Sequence, residues 1–154
     1  MRLIAVAGRQ PSWVDDACDH YMQRLPRQWK FRLDVLATVR RSKGVDRASA
    51  VEAEGQKVLD RIGAAERLVL LDERGSEISS VELAKKLSSW QMSGRNLSFV
   101  IGGPDGISET VAAEADFRWS LSKLTLPHGL ARVLFVEQLY RAWTVSTAHP
   151  YHRG

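Results

Sequence analysis

Short apolar runs alternate along this chain with longer segments in which apolar residues recur every three or four positions. The short runs predict buried strands, and the longer periodic segments predict amphipathic helices. The predicted strands cover residues 1–7, 31–38, 68–71, 97–101 and 118–121. The predicted helices cover residues 12–25, 48–62, 80–93, 108–115 and 130–148, with Ser12 as the cap of the first. Strands that alternate with helices indicate an α/β fold with a mainly parallel sheet flanked by helices.

The same pattern predicts where some strand side chains point. Alternation in the second strand places Phe31, Leu33 and Val35 on one face. In the last strand, Phe117 and Trp119 are the expected core anchors.

Length and composition limit the class of protein. A chain of 154 residues, 44% hydrophobic and 26% charged, is typical of one globular domain, so we expect a single domain over residues 1–154. The one cysteine, Cys18, excludes a disulfide framework and a four-cysteine zinc site. His149 and His152 lack a nearby acidic or cysteine partner, so no metal is expected. No apolar run approaches the roughly 20 residues of a membrane span, and we expect no membrane association and a cytoplasmic location.

Positive charge is concentrated in two segments, although the net charge is only +4. Residues 24–47 carry eight Lys and Arg against two Asp, and residues 117–154 carry five against one Glu. Such segments, beside aromatic side chains such as Trp29 and Tyr151, suit contacts with RNA phosphates and bases. A solvated basic loop is the alternative interpretation of the first segment.

A glycine-rich turn, residues 102–106, follows a predicted strand and precedes a predicted helix. It does not match G-x-G-x-x-G, which disfavours a Rossmann-type dehydrogenase. A phosphate cradle needs free amides, whereas Pro104 removes one and Asp105 adds a repelling charge. A nucleoside bound here should therefore lack phosphates. The alternative is a tight turn that needs glycine only for its backbone dihedral angles.

Residues 122–129 form an unusual connection, because apolar residues are mixed with hydroxyl groups before a helix. If this backbone is buried, a planar ligand base could satisfy its amides and carbonyls. The alternative is an ordinary buried strand that ends at Pro127.

The next helix is more apolar than the outer helix of a monomer needs, which fits either core packing or a subunit interface with Tyr140 and Trp143. No G-x-S-x-G elbow occurs, so a hydrolase is disfavoured.

Four segments together resemble a known family. Residues 101–106, 121–128, 139–143 and 149–153 are similar in sequence and order to the ribosomal RNA large subunit methyltransferase H family, a branch of the SPOUT, or α/β-knot, methyltransferases. The resemblance implies a homodimer that transfers a methyl group from S-adenosyl-L-methionine to N3 of a pseudouridine in 23S ribosomal RNA. It also implies a carboxyl-terminal trefoil knot, the SPOUT fold, which no periodicity reveals.

The resemblance also implies roles for individual residues. Those matching the cofactor site are Leu71, Gly103, Ser122, Lys123, Leu124, Thr125, Leu126 and Pro127. Those matching the catalytic, substrate-facing side are His128, Arg141, Tyr151, His152 and Arg153. In the family, the tail of one subunit approaches the cofactor held by the other. Ala148 departs from the pattern, since the family commonly has asparagine there.

Two questions stay open at this point. The N3–H of a pseudouridine must lose its proton, and His128 or His152 could accept it, or a cation such as Arg153 could stabilise the resulting anion. The competing function is a non-catalytic module that binds ribosomal RNA through its basic segments.

Overall fold

The computed structural model describes residues 1–40 and 46–153, and for residues 152 and 153 the backbone alone. Its strands are β1 (Arg2–Val6), β2 (Arg32–Leu36), β3 (Arg67–Glu77), β4 (Leu97–Ile101) and β5 (Phe117–Ser120). Its helices are α1 (Ser12–Met22), α2 (Arg47–Leu59), α3 (Ser80–Met92), α4 (Glu109–Glu114) and α5 (His128–Ser146). Short 3₁₀ turns cover Arg27–Trp29 and Pro150–Arg153.

The five strands form one sheet in the order β2-β1-β4-β3-β5, and every neighbouring pair is parallel. Every residue of β1 and β4 is buried, and all of them are apolar except Arg2 and Ser98, which hydrogen-bond to each other. Helices α1, α3 and α5 pack on one face, while α2 and α4 pack on the other. The predicted α/β fold with a flanked parallel sheet is confirmed, whereas the trefoil knot stays a prediction.

Strand β3 is longer than the sequence pattern predicts. Both Leu71 and Ser76 pair with Trp119, so the four residues between them bulge out of the ladder. Gly75 allows this close return, because a Cβ there would lie 2.7 Å from the backbone of Arg118. The sequence predicts that this strand ends at Leu71, whereas the structure continues it through the polar segment 72–75 to Glu77.

Two local predictions need correction. Helix α1 begins at Ser12 itself, with Pro11 in the capping position and no side-chain cap bond, so the predicted cap role of Ser12 is wrong. Helix α5 begins at His128, two residues earlier than expected, directly after Pro127. Leu33 and Val35 share one face of β2, where Val35 is 50% exposed, and Trp119 is buried as predicted.

Candidate cofactor and substrate site

A cavity of about 870 Å³ opens at the carboxyl ends of β3, β4 and β5. Its walls come from the β3 bulge, the glycine-rich turn after β4, the connection after β5 and the first turn of α5. This edge of a parallel sheet is where open α/β folds bind ligands. The cavity also falls within the roughly 300–1,000 Å³ of typical small-molecule sites.

Most residues assigned to the cofactor by resemblance line this cavity. They are Leu71, Gly103, Ser122, Leu124, Thr125, Leu126 and Pro127, and His128 joins them. Lys123 is not among the lining residues, because its exposed ammonium lies 3.6 Å from a carboxylate oxygen of Glu77. The structure therefore brings three connections that are distant in sequence together around one cavity.

The glycine-rich turn is tightly packed as well as being part of the cavity wall. A Cβ on Gly102 would lie 2.6 Å from the carbonyl oxygen of Gly106, and one on Gly103 would lie 2.6 Å from Oε2 of Glu54. Gly106 has a φ of +102°, and its N–H donates to the carbonyl of Gly103 at 3.0 Å. This geometry supports the tight-turn interpretation, and the turn also lines the cavity, whereas nucleoside binding there stays a prediction.

Charged groups at the cavity are largely paired with one another. Arg118 donates to Asp72, and Arg47 lies 3.0 Å from Asp105. Burial alone would raise the pKa of Asp72, but the hydrogen bonds from Arg118 and from the N–H of Arg74 outweigh it and hold that pKa below its ordinary value. The lining carries four carboxylates against three arginines, and this small excess of negative charge disfavours phosphate relative to an uncharged or cationic nucleoside.

His128 stands where α5 meets the end of β1. Its Nε2 lies 2.7 Å from the carbonyl oxygen of Val6, and a carbonyl only accepts, so Nε2 carries a proton. Burial lowers the pKa of His128, the Val6 bond partly opposes this, and the positive charge of Arg132 lowers it further. The ring is therefore neutral at neutral pH, with Nδ1 as its acceptor.

Arg141 and Tyr151 form a second group around Glu137. The Nε of Arg141 donates to Oε1 of Glu137 at 2.9 Å, the hydroxyl of Tyr151 donates to the same oxygen at 3.0 Å, and the guanidinium lies 5.0 Å from the centre of the Tyr151 ring. Burial raises the pKa of Tyr151, and the hydroxyl of Tyr21 and the Glu137 carboxylate raise it further, so Tyr151 stays protonated.

Sequence reasoning missed Glu137, which holds this second group together. Its signal was present: Glu137 is the one acidic residue in the basic segment 117–154, four positions before Arg141. Opposite charges at that spacing share a helix face.

The two groups do not meet within one chain. His128 and Arg141 lie 13 positions apart on the continuous helix α5, which corresponds to about 20 Å along its axis. The tail packs back against α5, where the ring of Tyr151 lies 4.7 Å from that of Tyr140, centre to centre. Of the three predicted catalytic residues whose side chains the structure describes, His128 lies at the cavity of its own chain, whereas Arg141 and Tyr151 do not. The side chains of His152 and Arg153 lie outside the described structure.

The part of the chain that the structure describes shows neither a metal-binding group nor a membrane-spanning helix. Within residues 1–40 and 46–153 as described, no group of three or more His, Cys, Asp or Glu side chains could hold a metal ion. No helix in that part of the chain has the length and apolar character needed to cross a membrane.

Comparison with known proteins identifies the family. The profile described as "Predicted SPOUT methyltransferase" matches residues 1–152. The chain is 48% identical over 151 residues to the ribosomal RNA large subunit methyltransferase H of Saccharophagus degradans, covering 98% of this chain and 97% of that protein. It is 44% identical over 153 residues to the protein of the same name from Pseudomonas fluorescens, covering 99% of each chain.

Solved structures agree on the fold. TrmJ from Z. mobilis ZM4 aligns with a TM-score of 0.54 at 12% identity, covering 94% of this chain and 70% of that one. A probable methylase family protein from Haemophilus influenzae also aligns with a TM-score of 0.54, at 15% identity, covering 96% of this chain and 66% of that one. Together with the matching family profile and the close relatives, these alignments show that the chain belongs to the SPOUT methyltransferase family.

Proposed function

We propose that this protein transfers a methyl group from S-adenosyl-L-methionine to N3 of a pseudouridine in 23S ribosomal RNA. The observation that carries the proposal is the cavity at the carboxyl edge of the sheet, whose walls are the segments that match the methyltransferases. Relatives named ribosomal RNA large subunit methyltransferase H at 42–48% identity support the choice of ribosomal RNA.

The residues at the cavity fit this methyl donor. The glycine-rich turn and the connection 122–127 offer main-chain groups to an adenine ring, with Leu71 and Leu126 as apolar walls. The donor has no phosphate, in keeping with the carboxylates of Asp72 and Asp105 at the cavity. When bound, S-adenosyl-L-methionine supplies a methyl group on a positively charged sulfur.

The chain's task is then to place N3 of the base against that methyl group and to receive the N3 proton. His128 lines the cavity with a neutral ring, so it is suited to accept a proton there. His152 and Arg153 are the other candidates from the resemblance.

We infer a homodimer from the separation of the two groups. Arg141 is about 20 Å from His128 along α5 in its own chain, and Tyr151 packs beside Arg141, so both are too far to act on a base held at that cavity. We propose that the tail of a second copy supplies them, so that each working site combines the cavity of one subunit with Arg141, Tyr151, His152 and Arg153 of the other.

Calorimetric titration with S-adenosyl-L-methionine tests the proposal against the non-catalytic alternative. We expect binding heat with the donor and none with ATP, whose phosphates the cavity should repel. A module that only binds RNA gives no heat with either ligand.

Mass spectrometry of 23S ribosomal RNA from cells lacking the protein should then show the loss of one methyl group from a pseudouridine, and an unchanged set of methylated nucleotides would contradict the assignment.

The basic segment around Arg40 and Arg41 is a predicted RNA contact. Arg40 is exposed, while Arg41 lies outside the described residues. Replacing both arginines with glutamate should weaken binding to ribosomal RNA. The slope of log K against log salt concentration should become less negative by about 1 to 2, because fewer counterions are released. The control reverses two exposed cations of the α2 end, Lys57 and Arg61. An unchanged slope in the Arg40 and Arg41 variant would contradict the contact.

A further inference from the structure

Gly103 lies in the wall of the cavity at a position where a neighbour, and not its own backbone, requires glycine. Left-handed φ values occur at Gly94 and Gly106 but not at Gly103, so a side chain there would meet no dihedral strain. A Cβ would instead lie 2.6 Å from Oε2 of Glu54, whereas Cγ1 of Val6 would be in contact at 3.4 Å. The missing side chain of Gly103 therefore makes room for the carboxylate of Glu54.

Glu54 is held in this place by burial and by a hydrogen bond. Its relative exposure is 3%, and its Oε1 accepts from the N–H of Val39 at 2.7 Å. The carboxylate cannot swing aside without breaking this bond in a buried environment, which is costly. Its two oxygens thus contact two different segments: Oε1 contacts the chain that leads into the basic segment at Arg40, and Oε2 contacts the turn that lines the cavity.

Helix α2, which carries Glu54, packs closely against the same turn. At the start of the helix, Nε of Arg47 lies 3.0 Å from a carboxylate oxygen of Asp105. Next to Glu54, a Cβ on Gly55 would lie 2.0 Å from Oγ of Ser108, the buried residue that caps α4 directly after the turn. Because no side chain separates α2 from this region, the backbone of Glu54 is fixed relative to the turn.

We propose that Glu54 is a positioning residue that fixes the glycine-rich turn of the cofactor site and the start of the basic segment relative to each other. Glu54 does not itself line the cavity. It sets the position of the Gly103 main chain, which does, and of the chain before Arg40, a predicted RNA contact. This inference rests on the proposed function and deepens it, because one buried side chain then influences the affinity for both S-adenosyl-L-methionine and ribosomal RNA.

The test compares E54L, which removes both acceptor oxygens at similar volume, with E54Q, which keeps the shape and one acceptor for the N–H of Val39. Donor affinity is measured by calorimetric titration with S-adenosyl-L-methionine, and RNA affinity by binding to 23S ribosomal RNA. We expect E54L to weaken donor binding at least about tenfold, because a displacement of about 1 Å in a binding site is costly. RNA binding should weaken at least about fivefold through the loss of the Val39 hydrogen bond. E54Q should stay within about twofold of the wild type for both ligands.

The matched control for a merely structural role is V58A. Val58 lies one turn after Glu54 on α2 and is fully buried in the apolar core between this helix and the sheet. Both E54L and V58A should lower the melting temperature, but V58A should leave the two affinities unchanged. If V58A weakens donor binding as much as E54L, the role of Glu54 is general stability. If E54Q weakens it as much, the role is one of charge, and either result would overturn the inference.

The contact between Glu54 and Gly103 is tested by G103A. With glutamate at position 54, we expect G103A to weaken donor binding at least about tenfold, because the added methyl group and Oε2 cannot both keep their places. In the E54D background, G103A should cost less than about threefold. The shorter carboxylate withdraws toward the position of Cδ of Glu54, which lies 3.5 Å from the added Cβ. An equal cost of G103A in both backgrounds would show that the contact does not position the turn.

Amide hydrogen exchange at Val39 distinguishes a failure of this inference from a failure of the proposed function. A wild type that binds no S-adenosyl-L-methionine contradicts the proposed function alone. In that case, exchange at Val39 that is at least about tenfold faster in E54L than in E54Q still supports the link between Glu54 and the basic segment, whereas equal exchange in the two variants refutes it.

Discussion

Removal of residues 151–154 is expected to reduce methyl transfer by at least about a thousandfold, a loss comparable to that of a key group in other active sites. The deletion removes Tyr151, whose hydroxyl and ring are held by Glu137 and Arg141, together with His152 and Arg153. Affinity for S-adenosyl-L-methionine should change by less than about twofold, because the walls of the cavity are proposed to hold the donor, whereas the tail is proposed to hold the base.

The two quantities are measured on the same preparation, by methyl transfer to ribosomal RNA and by calorimetric titration. Deletion of Gly154 alone is the matched control and should leave both unchanged. The variant Y151F refines the result, since it keeps the ring beneath Arg141 but loses the hydrogen bond to Glu137. A parallel loss of methyl transfer and cofactor affinity would show that the tail supports the cavity instead of the base.

The sheet could be predicted from the sequence because its strands are marked by apolar runs with few exceptions. All five predicted strands exist, and the predicted buried strand 97–101 is β4, in which every residue is buried. The extension of β3 could not be predicted, because 72–75 reads as a turn and only the pairing of Ser76 with Trp119 brings the strand back. The strand order β2-β1-β4-β3-β5 also depends on contacts between distant segments.

The site was predictable to the level of loops but not of side chains. Parallel strands place their following connections at one edge, so a mainly parallel sheet brings the glycine-rich turn and residues 122–127 together. Whether a side chain in such a loop points into the cavity depends on its neighbours, and the side chain of Lys123 points toward Glu77 instead. The burial of Arg132 could not be predicted for a similar reason, because it depends on the packing of α1 on α5.

The length of α5 separates two of the predicted catalytic residues, and the order of the sequence motifs does not show this separation. His128 and Arg141 belong to neighbouring motifs along the chain, yet the 19-residue helix carries them to opposite ends. A helix cannot fold back, so residues at its two ends serve one reaction only if a second molecule brings a far end to the cavity. The separation of His128 and Arg141 is therefore a stronger argument for a homodimer than the apolar character of α5.

Mixed dimers test that requirement directly. One subunit lacks residues 151–154, and the other carries A131F, which fills the cavity that Ala131 lines. Each variant should be inactive as a homodimer, while a doubly tagged mixed dimer should recover about half of the wild-type activity, because one cavity and one tail form a single complete site. A doubly tagged dimer of two tail-deleted subunits is the control and should stay inactive. If tail and cavity acted within one chain, the mixed dimer would be inactive as well, since neither subunit would then have both parts.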